Sequence, residues 1–555
     1  MKKLNKINIL SLLVVFLLST GCDDYLEEVN KSNVVADEYF QTEEGYETLV
    51  NASYSTLRNV YSEPWIFSAG TDLFVEGRGL QPPGISEYRN LTPEEEDVED
   101  FYRNTYQAIQ VTNNALYFND KTEETDNLQT RKGEVQFLRA YYYFLLVQNF
   151  GGVSIVTERF SEPVVQFERN SAEEVYSFII NEMNEALELV PEAASETGRV
   201  SKRVIRHFLA KVHLTRGYED FGSADDFQKA ATLADAAING QSLNLAFEQV
   251  FFPGNEDNPE ILFAIQYDAG SISSPTSGHT QAYWYGPYMG GQGATEGYPY
   301  RAYMLMPTMY LFDVFSENDA RFDATFMITR YDRYYDYYDR AGERDELGVK
   351  FYYAPKWASS PEAIAAWRAA DPANRMNATV IPYSPIWEAS PSTAADNATP
   401  PVKKFDDPQA QFSPNGSTRD IYLARLAETY LIAAEAYFKL GDLATAAERI
   451  NEVRRRAAEP GAEDEMLISA GDVDIDFILD ERARELAGEY HRWFDLKRTG
   501  TLMERTRLYN RDIREWYDAG IDPFLGTGGE YKLLRPIPSR ALILNEGDAA
   551  QNPGY

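Results

Sequence analysis

Between residues 281 and 300 the chain sets Tyr283, Trp284, Tyr285, Tyr288, Tyr298 and Tyr300 among five glycines. Aromatic faces stack on the C–H faces of sugar rings, and glycine-rich backbone lets several of them share one shallow surface. The same side chains could instead cover a helical scaffold. Trp284 is the residue best suited to the open role. A second aromatic and polar group, from Trp65 to Gly79, follows the first helical segment, and a tyrosine run, Tyr331, Tyr334, Tyr335, Tyr337 and Tyr338, could extend the same surface or face a partner.

Motifs for covalent or metal chemistry are missing. Four histidines occur, His207, His213, His279 and His491, and none begins a His-Glu-x-x-His pattern; no Gly-x-Ser-x-Gly elbow or phosphate-binding loop is present. The glycines from Gly290 to Gly297 fail the dinucleotide spacing. Among 87 acidic residues a glycosidase-like carboxylate pair carries no information. No catalytic residue, cofactor or metal is expected.

The first residues carry Lys2, Lys3 and Lys6, an apolar run from Ile7 to Leu18, then Ser19, Thr20 and Gly21 before the sole cysteine, Cys22. The run is too short to span a bilayer, so it reads as a signal peptide, residues 1–21. Gly21-Cys22 resembles the lipobox of bacterial lipoproteins, although Leu18 lies four residues before the cysteine where three is usual. Cleavage would leave Cys22 as an acylated N-terminus, and a single cysteine permits no disulfide within the chain. Loss of three lysines takes the formal net charge from −35 to −38. So acidic a surface disfavours nucleic acid and polyanions and leaves neutral ligands favoured.

Residues 22–38, with Asp23, Asp24, Glu27 and Glu28, read as a solvated tether. Beyond Phe40 the spacing is helical, with Tyr46, Leu49, Val50, Tyr54, Leu57 and Tyr61 on one face. Thr92, Pro93 and Glu95 predict a capped helix start, as do Ser171 and Glu174 for a helix ending at Pro191. The stretch Glu134 to Phe150 is apolar all round and must be buried. Ala427 to Ala457 predicts two antiparallel helices joined by Gly441 and Asp442. Ala434, Tyr437, Ala446, Ile450 and Val453 stand there at tetratricopeptide offsets, and Ala210, Gly217, Phe227, Ala230 and Ala234 form a looser copy. From about 271 to 417 the rhythm fails, apart from helices near Met309 to Phe315 and Pro361 to Ala370. Loops this long and aromatic tend to be functional.

Several segments in order resemble the SusD/RagB family of outer-membrane nutrient-binding lipoproteins. They begin at Cys22, Phe137, Arg425, Glu481, Arg492 and Pro536, and the last ends the chain at Gln551 to Tyr555. One segment departs, Gly151 to Ile155, where relatives commonly read Gly-Asp-Val-Pro-Leu. The resemblance implies a mainly all-α fold, a tetratricopeptide-like helical-pair scaffold with long irregular loops and minor β structure. It divides the mature chain into an N-terminal helical region, 39–265, and a C-terminal region, 266–555, with the loop-rich insert at about 271–417 and the helical pair at 427–457. It further implies a glycan ligand, or a peptide as in RagB-like members, a SusC-like TonB-dependent barrel as partner, and a place on the cell surface in the outer membrane. Acidic residues after the cysteine resemble the surface-export signal of such lipoproteins. By the same resemblance Asp72 and Arg78 are candidate ligand contacts beside the aromatics, since carboxylate and guanidinium both grip vicinal hydroxyls; Asp72 could equally cap a helix. The candidate set is therefore Trp284, Tyr283, Tyr285, Tyr288, Asp72, Arg78 and Trp65. Arg139, Glu435, Glu485, Arg492 and Asp495 are expected to be ion pairs of helix packing.

Overall fold

The computed structural model describes residues 36–62, 64–78, 81–160, 162–268, 278–286, 302–331, 347–389, 397–410 and 416–555. Helices dominate, and the described strands form three small sheets. No described helix is long and apolar enough to cross a membrane.

Local signals place several elements where the residues predict them. Thr42 caps the helix Glu43–Val60 by accepting from the Gly45 N–H, and Tyr46, Leu49, Val50 and Leu57 are buried along it. Ser171 and Glu174 close their capping box on Ala172–Leu189. Every residue from Gly133 to Phe150 of the helix Leu128–Phe150 is buried.

The box expected at Thr92 does not form. The helix there is Glu96–Asn119, and its cap residue Glu95 is extended, with ψ 116°. Thr92 instead closes a turn, its carbonyl accepting from the Glu95 N–H at 3.1 Å. That turn is held by the far end of the chain, because the Ser539 N–H donates to the Pro93 carbonyl at 2.9 Å and its hydroxyl to Glu94 at 2.6 Å. Tertiary contact overrides the local preference.

Helical pairs form the scaffold. Leu426–Lys439 and Leu443–Ala457 turn at Gly441, whose φ of +81° suits glycine, and Asp442 caps the second helix by accepting from Thr445 at 3.1 Å. Ala434, Ala446, Ile450 and Val453 fill the space between them. The second pair is Lys202–Arg216 and Ala224–Ile238. Gly217 has no room for a side chain there, since a Cβ would sit 2.7 Å from the Phe227 ring. Small residues bring the two pairs together, with Ala210, Ala230 and Ala234 against Ala433 and Ala436.

Strand Ile261–Ile265 pairs antiparallel with Ile421–Arg425, so the loop-rich insert leaves and rejoins the scaffold at one place. Within the insert, Thr329–Tyr331, Val349–Ala354 and Thr379–Pro382 form a three-stranded sheet. The helices Met309–Asp313 and Pro361–Ala370 lie where the sequence predicts helices. The main core draws residues from both sides of position 265.

Buried charge is dense and mostly paired. Arg321 donates to Asp319, Glu481 and Glu485, each at 2.8 Å, and Arg425 to Glu260 at 2.8 Å and Glu489 at 2.6 Å. Arg139 pairs with Glu182 and Glu435 with Arg498, and Asp495 accepts from Arg482 and Arg498. Breaking one such buried pair typically costs about 3–5 kcal/mol. The last residues lock in similarly. The Asn552 side chain donates to the Phe150 carbonyl at 2.9 Å and the Arg535 carbonyl at 2.7 Å, which satisfies a carbonyl that the end of the helix leaves open.

Candidate ligand-binding surface

The helix Gln281–Tyr285 carries three of the candidate aromatics. Five residues make no stable helix alone, so its position comes from its surroundings. The Gln281 N–H donates to His279 Nδ1 at 3.2 Å, the Trp284 indole N–H to Thr280 at 2.7 Å, and the Tyr285 hydroxyl to Ser68 Oγ at 2.8 Å. Ser68 ends the helix Trp65–Ser68, so the two aromatic segments are tied together.

Their rings meet in one cluster. Trp65 is 6% exposed and lies 4.6 Å from Trp284 between centroids, tilted by 55°. Tyr283 meets Trp284 edge-on at 4.8 Å. Trp284 and Tyr283 remain partly exposed, whereas Trp65 is buried behind them. The chain from Ala302 completes the frame. Ala302 and Tyr303 donate to the carbonyls of Tyr283 and Gly286, each at 3.0 Å, and the Arg78 N–H donates to the Tyr303 carbonyl at 3.2 Å. Strand Phe74–Glu76 then pairs with Leu305–Pro307.

Two further candidates, like Trp65, do not face solvent. Tyr285 is 1% exposed and packs 5.1 Å from both Phe74 and Phe405; it fastens the helix. Asp72 is fully buried. It accepts from Arg492 at 2.7 and 2.6 Å and from Arg505 at 3.0 Å. Burial raises its pKa, but Arg492 and Arg505 outweigh that and hold the carboxyl below the usual carboxylate range. Asp72 is an internal brace, and no helix cap. Arg78 is half-buried beside the cluster. Cys22, Tyr288, Tyr298, Tyr300, Tyr334, Tyr335, Tyr337 and Tyr338 lie outside the described residues, and Tyr331 ends the strand Thr329–Tyr331.

A cavity of about 680 Å³ lies beside Tyr310, Glu388 and Tyr509. No periodicity or motif singled these residues out, and their separation along the chain left no local signal. Among the described residues no group of three or more His, Cys, Asp or Glu side chains is placed to hold a metal ion.

The helical-pair fold is shared with solved structures. The fold matches that of surface glycan-binding protein A from Bacteroides thetaiotaomicron in complex with laminarihexaose, with TM-score 0.65 and 18% identity over 93% of this chain and 100% of that one. Residues 259–555 match the family model described as "SusD family", and residues 24–214 one described as "Starch-binding associating with outer membrane". The chain belongs to the SusD family. It is 26% identical to SusD-like protein P2 of Formosa agariphila over 98% of this chain and 99% of the relative. It is 25% identical to starch-binding protein SusD of Bacteroides thetaiotaomicron over 79% and 76%.

Proposed function

We propose that the chain is a lipoprotein of the outer-membrane surface, anchored through Cys22, that captures an oligo- or polysaccharide and passes it to a SusC-like TonB-dependent barrel without catalysing a reaction on it. The observation that carries this reading is the partly exposed Trp284–Tyr283 pair backed by buried Trp65. A rigid aromatic face at the surface of an acidic protein suits a neutral sugar chain, which needs stacking and hydroxyl partners but no counter-charge. The names of two relatives, a starch-binding protein and a glycan-binding protein holding laminarihexaose, support the ligand class. The family and the lipobox support the anchor and the barrel partner.

Calorimetry against neutral glycans tests the proposal. The wild-type chain should bind at least one glycan, and Trp284→Ala should weaken it by about tenfold or more, equivalent to about 1.4 kcal/mol, while the variant stays folded with a small fall in unfolding temperature. Silence across the panel, with peptides co-purifying in mass spectra, would overturn it.

A further inference from the structure

The helix Met309–Asp313, the turn Pro385–Glu388, Asp480 on the helix Ile475–Leu486 and the junction between Leu502–Tyr509 and Arg511–Asp518 line the open cavity of about 680 Å³. It shares no lining residue with Trp65, Tyr283 or Trp284. Its size falls within the roughly 300–1,000 Å³ of small-molecule sites.

The wall is chemically mixed and held in place. Tyr310 and Tyr509 stack with centroids 4.2 Å apart and planes 21° from parallel. The Tyr310 hydroxyl donates to Asp480, while Arg505 donates to Tyr310, Asp480 and Asp72. The internal brace at Asp72 therefore also fixes this wall. Arg511 is fastened to the carbonyls of Glu388 and Glu76. Leu508, 53% exposed, stands at the rim.

Glu388 is the informative residue. It is 7% exposed, and one carboxylate oxygen accepts from the Met309 N–H at 2.7 Å. Its other oxygen, Oε1, is buried without a hydrogen-bond partner. An unpaired buried acceptor costs about 1–3 kcal/mol, which a turn of the carboxylate toward a hydroxyl donor in the cavity would recover. Asp313 and Asp480 add acceptors, and Arg511 and Arg514 bring positive charge. A polyanion would meet three carboxylates here, and a polycation two guanidiniums. Mixed donors and acceptors beside aromatic rings match a neutral polyhydroxylated ring.

We propose that this cavity is a second saccharide subsite, taking a neutral sugar unit with a hydroxyl on the Glu388 carboxylate and a ring face toward Tyr509. It rests on the glycan-capture reading and adds a place for a unit that the Trp284 cluster does not hold.

The test titrates the full chain by calorimetry with glucose, galactose, mannose, maltohexaose and laminarihexaose, comparing wild type, Trp284→Ala, Leu508→Trp and Glu388→Gln. Leu508→Trp fills the rim at an exposed position and leaves the core alone. The expected result is short-sugar binding that survives Trp284→Ala and falls about tenfold when Leu508→Trp or Glu388→Gln is added. Glycan binding by the wild type that neither cavity variant changes would overturn the subsite and leave glycan capture standing. A wild type that binds no member of the panel would overturn both.

Discussion

Asp72→Asn separates a brace from a ligand contact. The substitution keeps size and one acceptor but removes the negative charge between two buried guanidiniums. Arg505 retains Asp476 at 2.6 Å and Asp480 at 2.7 Å, so it stays compensated. Arg492 retains only the Leu479 carbonyl at 2.6 Å and the Tyr310 hydroxyl at 3.4 Å, so the loss falls on one cation. An uncompensated buried charge costs about 3–5 kcal/mol, roughly a fifth or more of a typical folding free energy. At about 2 °C per kcal/mol for a large domain, the unfolding midpoint should fall by roughly 6–10 °C. Thermal unfolding followed by circular dichroism, with glycan titration in parallel, reads both effects. A variant that unfolds at the wild-type temperature yet loses glycan affinity would refute the brace and restore Asp72 as a ligand residue.

Acid should weaken the fold in two stages. Burial lowers the His491 pKa to about 3, so below an unfolded value of about 6.5 the unfolded chain takes up the proton first and stability falls. Burial raises the Glu485 pKa, but Arg456, Arg425 and Arg321 outweigh it and bring it down to about 2; its contribution is present above an unfolded value of about 4.3 and lost toward pH 2. Urea midpoints should therefore be lower at pH 4 than at pH 7.5, and equal midpoints would contradict this. Gly488→Ala forces a Cβ to 2.5 Å from Phe405 at φ +76° and should cost about 2–5 kcal/mol. Gly441→Ala, at φ +81° with nothing within 4 Å, should cost about 1–2 kcal/mol; chemical denaturation compares the two directly. Cys22→Ala should move the chain from the membrane fraction to the soluble one with unchanged glycan affinity, and a variant still sedimenting with membranes would argue against the anchor.

The features legible in the sequence share a physical origin. The Ser171 box, the Gly441 turn and the Phe-, Leu- and Tyr-rich run to Phe150 are fixed by residues within a few turns of one another, so spacing reveals them. Thr92 has an equally good local signal, but Ser539 holds Pro93 and Glu94 just after it in a turn. The aromatic segment around Trp284 was visible because its composition is local. The meaning of Asp72 was not, because its partners stand 420 and 433 residues further along. The cavity at Glu388 escaped for the same reason, being assembled from four distant segments that each look ordinary alone.

The charge balance links these observations. The chain has 52 basic residues against 87 acidic ones, and many arginines are spent inside, with Arg321, Arg425, Arg482, Arg492, Arg498, Arg505 and Arg535 all buried. Each buried arginine removes a cation from the surface, and those that pair draw a carboxylate inward with them. A single Asp or Arg in this sequence is therefore weak evidence for a ligand contact, because helix packing is the commoner use of such residues here. Aromatic residues kept at the surface have no such structural demand on their exposed faces. That asymmetry favours Trp284 and Tyr283 over Asp72 as the residues that meet a sugar.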